Sequence, residues 1–309
     1  MGRRGEGTTG AVDEATEVFV AHRNLLFTVA YEMLGSAADA EDVLQESWLR
    51  WAAVDLGTVR ERRSYLVRIV TRLALDRRRA LGRRKESYVG QWLPEPLLTA
   101  PDVAEDVELA DSVSMAMLLV LETLAPVERA VFVLREVFDL PYDEIADAVG
   151  KTPAAVRQTA YRARAHVAAR RPRRGAASPA EARAVLGAFR RAVETGDIQA
   201  LFDILAPDVV ALSDGGGIRH ALLRPVAGAG DVVRLLVTAR RRHGARWSLE
   251  ATQVNGGPGL LFRIGGEFDG LLAVRVEGGR VTGMYYVRNP EKLPRAGEET
   301  AVSRGLPGP

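Results

Sequence analysis

The sequence predicts a multidomain protein: two all-α domains followed by a C-terminal α+β domain. Three observations carry this reading. Apolar residues recur at helical spacing from Ala15 to Arg79 and again from Ser112 to Ala169. A proline-bent, acid-rich stretch separates those two blocks, and beyond Arg174 short helices give way to four strand-like segments. With 309 residues, of which 47% are hydrophobic, the chain can bury a core in each of two or three domains of ordinary size.

The first block opens after a Gly-rich, polar tail (1–12) expected to lack order. Val18, Leu25, Leu26, Val29, Ala30 and Met33 form one apolar stripe, and Gly35 ends that helix. Ser36-Ala37-Ala38-Asp39 reads as a capping box, the serine satisfying an early N–H and the aspartate reaching back. The next helix turns Val43, Leu44, Ser47, Trp48 and Trp51 inward and Asp42, Gln45 and Glu46 outward. A third helix over Arg63–Arg79 carries Leu66, Ile69, Val70 and Leu73 as its stripe, closing a domain at 13–85. Residues 86–111 are a linker: Gln91-Trp92-Leu93-Pro94-Glu95-Pro96 cannot be helical, because each proline lacks a donor and pushes its predecessor to extended geometry. The linker presents an exposed-looking Trp-Leu anchor.

In the second block (112–170), Pro141–Gly150 is a short helix burying Ile145, Ala146 and Val149. After a tight turn Thr152 is the N-cap and Pro153 the first residue of a second helix running to about Ala169. That is the form of a helix-turn-helix. With Val156, Ala160 and Ala163 buried, Arg157, Gln158, Tyr161, Arg162 and Arg164 must face outward. Arginine can read guanine edges, glutamine can read adenine, and further arginines hold phosphates; the plain alternative is a solvated basic helix. A hinge follows at 171–177. The third domain, 178–293, has helices at Pro179–Glu194, Ile198–Leu205 and about Asp231–Arg241. Its strands fall around Val209–Leu212, then at Trp247–Val254, Leu260–Ile264, Leu271–Val276 and Val281–Arg288, the last two joined by a Gly278-Gly279 hairpin turn. Residues 294–309 read as a second tail without order.

Charge is uneven although the net is only +2. From Arg60 to Lys85 eleven basic residues face two acids, and from Arg157 to Arg174 there are seven arginines and no acid. Two dense basic segments in a near-neutral chain suit binding to a polyanion at two places. In the first of them Tyr65 is interleaved with charge, a pattern fitted to partly single-stranded nucleic acid, where bases stack and phosphates are neutralised; a merely arginine-rich surface helix fits equally well. Asp76 within it reads as an ion-pair or capping partner rather than a catalytic acid.

Other classes find little support. There is no cysteine, and the four histidines show no metal-ligand spacing, so no metal site is expected. No apolar run is long enough to span a bilayer, and Met1-Gly2-Arg3-Arg4-Gly5-Glu6 does not read as a signal peptide; a cytoplasmic location is expected. Asp214-Gly215-Gly216-Gly217 lacks the following Lys-Ser/Thr of a phosphate loop and reads as a turn at the mouth of the sheet, where His220 and Tyr285 could line a cavity, with core or rim positions the default reading for both.

The order of these parts resembles the extracytoplasmic-function sigma factors of RNA polymerase, in the subgroup with a fused SnoaL-like (NTF2-like) domain. The resemblance rests on Asp39-Ala-Glu-Asp-Val-Leu-Gln-Glu-Ser-Trp48, Tyr65-Leu-Val-Arg-Ile-Val-Thr-Arg-Leu-Ala-Leu-Asp76, Tyr142-Asp-Glu-Ile-Ala146 and Val156-Arg-Gln-Thr-Ala-Tyr-Arg-Ala-Arg164. The subgroup marks are Trp92-Leu-Pro-Glu-Pro96, Asp214-Gly-Gly-Gly217 and Asn289-Pro-Glu-Lys-Leu293. It implies that the first domain is sigma region 2, the second sigma region 4, and the third an α+β cone. It further implies docking of Asp42, Gln45 and Glu46 on core RNA polymerase (β′, with help from β), and capture of the promoter −10 element by the helix carrying Tyr65, Arg68, Arg72, Arg77, Arg78 and Arg79. Reading of the −35 element falls to Thr152, Arg157, Gln158, Tyr161, Arg162 and Arg164. The third domain becomes a built-in regulator acting through Trp92, Leu93, Pro94, Glu95, Pro96, Asp214, Gly215, Gly216, Gly217, Asn289 and Pro290. No catalytic residue and no cofactor are expected. Two rivals stay open: a polymerase-independent repressor or activator, and an enzyme using Asp214 or His220, with a small-molecule sensing pocket as its milder form.

Overall fold

The computed structural model describes residues 6–104, 106–170 and 177–305. They form two units: 1–83 with 120–170 and 301–309, and 84–119 with 171–300. The hinge at 171–177 lies, apart from Ala177, outside the described residues.

The first unit is helical. α1 (Glu6–Leu34), α2 (Ala37–Ala52) and α3 (Arg62–Glu86) follow the expected stripes, with Leu25, Leu26, Val29, Ala30, Met33, Leu66 and Val70 almost wholly buried. Gly35 takes a positive φ of 70° and its N–H reaches the Tyr31 carbonyl, so the left-handed stop read from the sequence is the one used. Ser36 accepts from the Asp39 N–H, but Asp39 sends its own carboxylate to Arg77. Trp51 is completely buried and its indole N–H donates to the Ala15 carbonyl, pinning α2 to α1. Trp48, expected inside, is half-buried against Phe19. The expectation of a tail over 1–12 is corrected for 6–12, which open α1, while 1–5 lie outside the described residues.

In the second helical block α5 (Met115–Glu122) leads through Ala125-Pro126 into α6 (Pro126–Phe132) and a π turn over Val133–Val137. α7 (Tyr142–Val149) stops at Gly150 (φ 67°), and α8 (Pro153–Arg170) starts one turn later. Within α7, Ile145, Ala146 and Ala148 are buried, whereas Val149, expected inside, is half-buried at the helix end. The Thr152 hydroxyl accepts from the Ala155 N–H, and Val156, Ala160, Ala163 and Val167 are buried as spaced.

The second unit is built on a six-stranded sheet: β1 (Leu205–Asp214), β2 (Val226–Ala227), β3 (Trp247–Val254), β4 (Gly257–Ile264), β5 (Glu267–Glu277) and β6 (Arg280–Val287). The order is β2-β1-β6-β5-β4-β3, antiparallel throughout except for β1 beside β6. α9 (Pro179–Thr195), α10 (Ile198–Ile204) and α11 (Ala229–His243) cover one face, packing Phe189, Leu186, Val232 and Leu236 on Phe262, Leu272, Val274 and Met284. Alternation sends the neighbours Leu271, Ala273, Tyr285 and Val287 to the other face. That face is covered by Leu93 of the linker and Met115 at the start of α5, which pack there with Val254 and Ala296. Burial on both faces explains the unbroken apolar run Leu271-Leu272-Ala273-Val274.

Three expectations are therefore corrected. The linker is not wholly irregular, since α4 (Val107–Val113) begins within it under an Asp106 cap. Its Trp-Leu anchor is not exposed: Leu93 and Leu97 are each 1% exposed and Pro94, Glu95 and Pro96 are buried. Nor are residues 294–305 structureless: Ala296 and Val302 are buried, and Glu299 bridges Leu98, while 306–309 lie outside the described residues. The alternative of a cavity lined by Tyr285 and His220 gives way to their default as core and rim residues, because Tyr285 is buried on the linker side of the sheet and His220 is exposed.

Candidate nucleic-acid interface and linker clasp

The outer face of α8 is open. Arg157, Gln158, Arg162 and Arg164 are exposed, Tyr161 is 71% exposed, and Thr152 sits at the exposed start of the helix. Arg164 reaches Glu136 only at 3.7 Å, and Arg157 lies 6.0 Å from the Tyr142 ring centroid, so both guanidinium groups keep donors free for an incoming edge or phosphate. In this arrangement one helix face carries guanidinium groups, an amide and an aromatic ring side by side.

The basic face of α3 is more committed. Tyr65 is half-buried between Trp51, 5.8 Å away, and the Arg68 guanidinium, 4.6 Å above its ring. Arg72 is exposed and donates to the Asp147 carbonyl; Arg79 pairs with Asp76, as the sequence reading of that aspartate anticipates. Arg77 bridges Asp39 and Asp42, and the Asp39 hydrogen bond lifts its pKa. Arg78 departs from expectation. Its side chain is only 10% exposed and binds the Met33 carbonyl and Glu122, so it serves packing rather than an outside ligand. Glu122 also holds Arg129, which is completely buried and donates to the Glu32 carbonyl; burial brings the Arg129 pKa down to about 10, still charged at neutral pH.

On α2, Asp42, Gln45 and Glu46 are exposed beside Leu49, which is 69% exposed. Glu46 pairs with Arg50 across one turn. Two acids, an amide and an apolar side chain on one helix face make a surface suited to a basic protein partner.

The fourth constellation holds the linker. Asp214, at the end of β1, is fully buried, and its carboxylate accepts from the Leu93 N–H at 2.9 Å, the Gly216 N–H at 3.0 Å, the Lys292 ammonium at 2.7 Å and the Tyr88 hydroxyl. Lys292 also donates to the Leu93 carbonyl and lies 3.3 Å from the centroid of Trp92 and 4.7 Å from that of Tyr88. The ammonium is thus enclosed by a carboxylate, a carbonyl and two ring faces. Asn289 donates to the Tyr88 oxygen and accepts from the Glu291 N–H, fixing the turn that delivers Lys292; Pro290 is exposed at the start of that turn. Burial, then the Asp214 carboxylate, push the Tyr88 phenol well above its ordinary pKa, so it stays a donor.

The glycines after Asp214 are there for close approach. A Cβ on Gly215 would meet the Arg219 carbonyl oxygen at 2.0 Å, and one on Gly216, at φ 63°, would meet the Asn289 side chain at 2.4 Å. Gly217 lies against Val89.

A second grip lies at the β3–β4 hairpin. Asn255 and Gly256 both take positive φ, the form expected of an Asn-Gly turn. The Asn255 amide accepts from the Leu97 N–H and donates to the Val113 carbonyl, its own N–H reaches the Leu97 carbonyl, and the Gly256 N–H reaches the Thr99 hydroxyl. Sequence reasoning gives no role to Tyr88 or Asn255, and Lys292 enters it only within a family motif. Asn-Gly flanked by strands is the available signal for Asn255; the other two have only long-range partners.

On the inner face Asp269 accepts from Arg288 and Tyr286. Burial opposes its charge, but these hydrogen bonds and the Arg288 charge outweigh it and hold the carboxyl below the ordinary range.

The chain is similar to known proteins over most of its length. Residues 18–84 match the family described as Sigma-70 region 2, and residues 114–167 match Sigma-70, region 4. The chain is 35% identical over 288 residues to the ECF RNA polymerase sigma factor SigJ of Mycobacterium tuberculosis, covering 89% of this chain and 92% of that protein. It is 34% identical over 286 residues to the probable ECF RNA polymerase sigma factor SigI of the same species, covering 91% and 95%. The crystal structure of the Mycobacterium tuberculosis extracytoplasmic function sigma factor SigJ aligns with a TM-score of 0.73 at 32% identity, over 90% of this chain and 98% of that one.

Proposed function

Because the chain belongs to the extracytoplasmic-function sigma factors of RNA polymerase, we propose that the four constellations divide the work of initiation among them. The α2 face with Asp42, Gln45 and Glu46 docks on the β′ subunit of core polymerase in the cytoplasm, with β assisting through region 4. α3 presents Tyr65, Arg68, Arg72, Arg77 and Arg79 to the −10 element, trapping unstacked bases without nucleotide hydrolysis. α8 reads the −35 element through Arg157, Gln158, Tyr161, Arg162 and Arg164, with Thr152 ordering its start. The clasp on Tyr88–Thr99 makes the third domain a regulator in cis, since whatever holds the linker sets how freely the two helical blocks can separate. No catalytic role falls to Asp214, whose carboxylate is occupied by four donors, or to the exposed His220.

The observation that carries this reading is the open, base-reading face of α8 behind the Gly150 turn. Reconstituted transcription with core polymerase and a matched promoter tests it. Arg157→Ala and Arg162→Ala should each weaken promoter binding by about 1–3 kcal/mol, which is roughly 5- to 150-fold. Transcripts from the wild-type chain together with undiminished binding by both variants would remove α8 from the recognition role.

A further inference from the structure

The third domain carries a cationic corner that the clasp does not use. α11 ends in Arg240-Arg241-Arg242-His243, and Arg246 follows in the short 3-10 turn just before β3. Arg241, Arg242 and Arg246 are exposed, and none has an acidic partner among the described residues. Their neighbours differ: Arg234, earlier on α11, is taken by Asp231, and Arg288 by Asp269. Asp269 is thereby committed to Arg288 and Tyr286. Glu267, on the β4–β5 turn near Arg246 by register, is exposed and forms no ion pair with it. The positive field is felt locally: burial first, then Arg242 and Arg288, lower the pKa of His243, whose ring packs on Trp247. Cations in a last helical turn suit the helix dipole, but that does not account for Arg246, which lies beyond the helix. Uncompensated guanidinium groups clustered on one exposed corner are what a phosphate backbone binds.

We propose that Arg241, Arg242 and Arg246 form a sequence-independent site for the DNA phosphate backbone, making the third domain a DNA-touching module as well as a clasp. The inference rests on the sigma-factor reading only in that this reading brings duplex DNA to the chain. Its chemistry is that of phosphate neutralisation, so it adds affinity and salt dependence without adding base preference.

The test uses the full chain with core polymerase and measures promoter-duplex binding across a salt series for wild type, the triple variant R241A/R242A/R246A, and Arg157→Ala. The triple variant should flatten the log–log salt slope by about 0.9 for each phosphate it no longer neutralises, so by up to about 2.7. It should weaken promoter and scrambled duplex by the same factor. An unchanged slope overturns the proposal, as does a defect confined to binding of core polymerase without DNA, which would assign the corner to protein. Arg157→Ala keeps the two readings separate. If it fails to weaken promoter binding while the triple variant flattens the slope, recognition by α8 falls and the phosphate site stands.

Discussion

Asp214 and Lys292 show how one buried ion pair is made tolerable. Each ion alone would cost several kcal/mol to bury. Here the carboxylate has four donors and the ammonium has two oxygens and two aromatic faces. Removing only the cation strands the anion, so Lys292→Met should cost about 3–5 kcal/mol locally. The readout is hydrogen exchange at the Leu93 amide, which Asp214 holds, and acceleration by on the order of 100-fold or more is expected. Equal protection in wild type and variant would mean the pair does not secure the linker. Asp269 makes a different claim, about pH. Its carboxyl is held below the ordinary value, so its contribution is complete above about pH 4 and is lost as pH falls through the depressed folded value. Wild type should therefore exceed Asp269→Asn in urea stability at neutral pH, with the gap closing under acid. A gap that stayed constant down to about pH 2 would contradict the assignment.

At the level of elements, α8 is legible in the sequence because its signals are local: a left-handed glycine, a capping threonine, a proline at the first position and a period-3.6 stripe. The sheet is legible for the same reason, since its strands are punctuated by glycine turns. What sequence misses is which side of an element meets distant chain. Arg78 looks like one more cation on a basic helix, yet it faces Glu122, 44 residues away. Lys292 and Tyr88 are separated by most of the chain, and no local period can report that they meet. The linker anchor looks exposed because Pro94 and Pro96 forbid helix, but an extended segment is also what a sheet face can cover. Likewise Arg129 on α6 gives no local warning that it will be wholly buried among Glu32, Glu122 and α1 backbone. This joint ties α1 and α3 of region 2 to α5 and α6 of region 4. Arg129→Met should leave Glu122 half-satisfied and destabilise the helical unit by about 3–5 kcal/mol. Arg129→Lys, unable to fork between two acceptors, should recover little of it. Calorimetry of the two variants decides the point: a transition shifted by less than about a degree in both would show that the joint is not structural.

At the scale of the whole molecule, chain order and spatial grouping disagree. Residues 84–119 lie in sequence between residues 1–83 and 120–170 but form a unit with residues 171–300, while the two stretches they connect belong to the other unit. A connector that belongs to a third domain is held at Leu93 by Asp214 and at Leu97–Thr99 by the Asn255 hairpin, so its reach is fixed by those two grips. Freed, a stretch such as 87–100 would behave as a flexible coil with a root-mean-square span of about 20 Å, roughly six base-pair steps of about 3.4 Å. The consequence is a property of the promoter rather than of the protein. The clasped chain should demand a narrow distance between the −35 and −10 elements, and a variant with both grips broken, D214A/N255A, should tolerate spacers about one to three base pairs longer or shorter. Transcript yield across such a spacer series should fall steeply for wild type and several-fold less steeply for the double variant. The variant should still bind core polymerase, because the α2 face proposed to dock on it is untouched by either substitution. Superimposable spacer profiles would mean that the third domain holds the linker without governing how the factor spans its promoter.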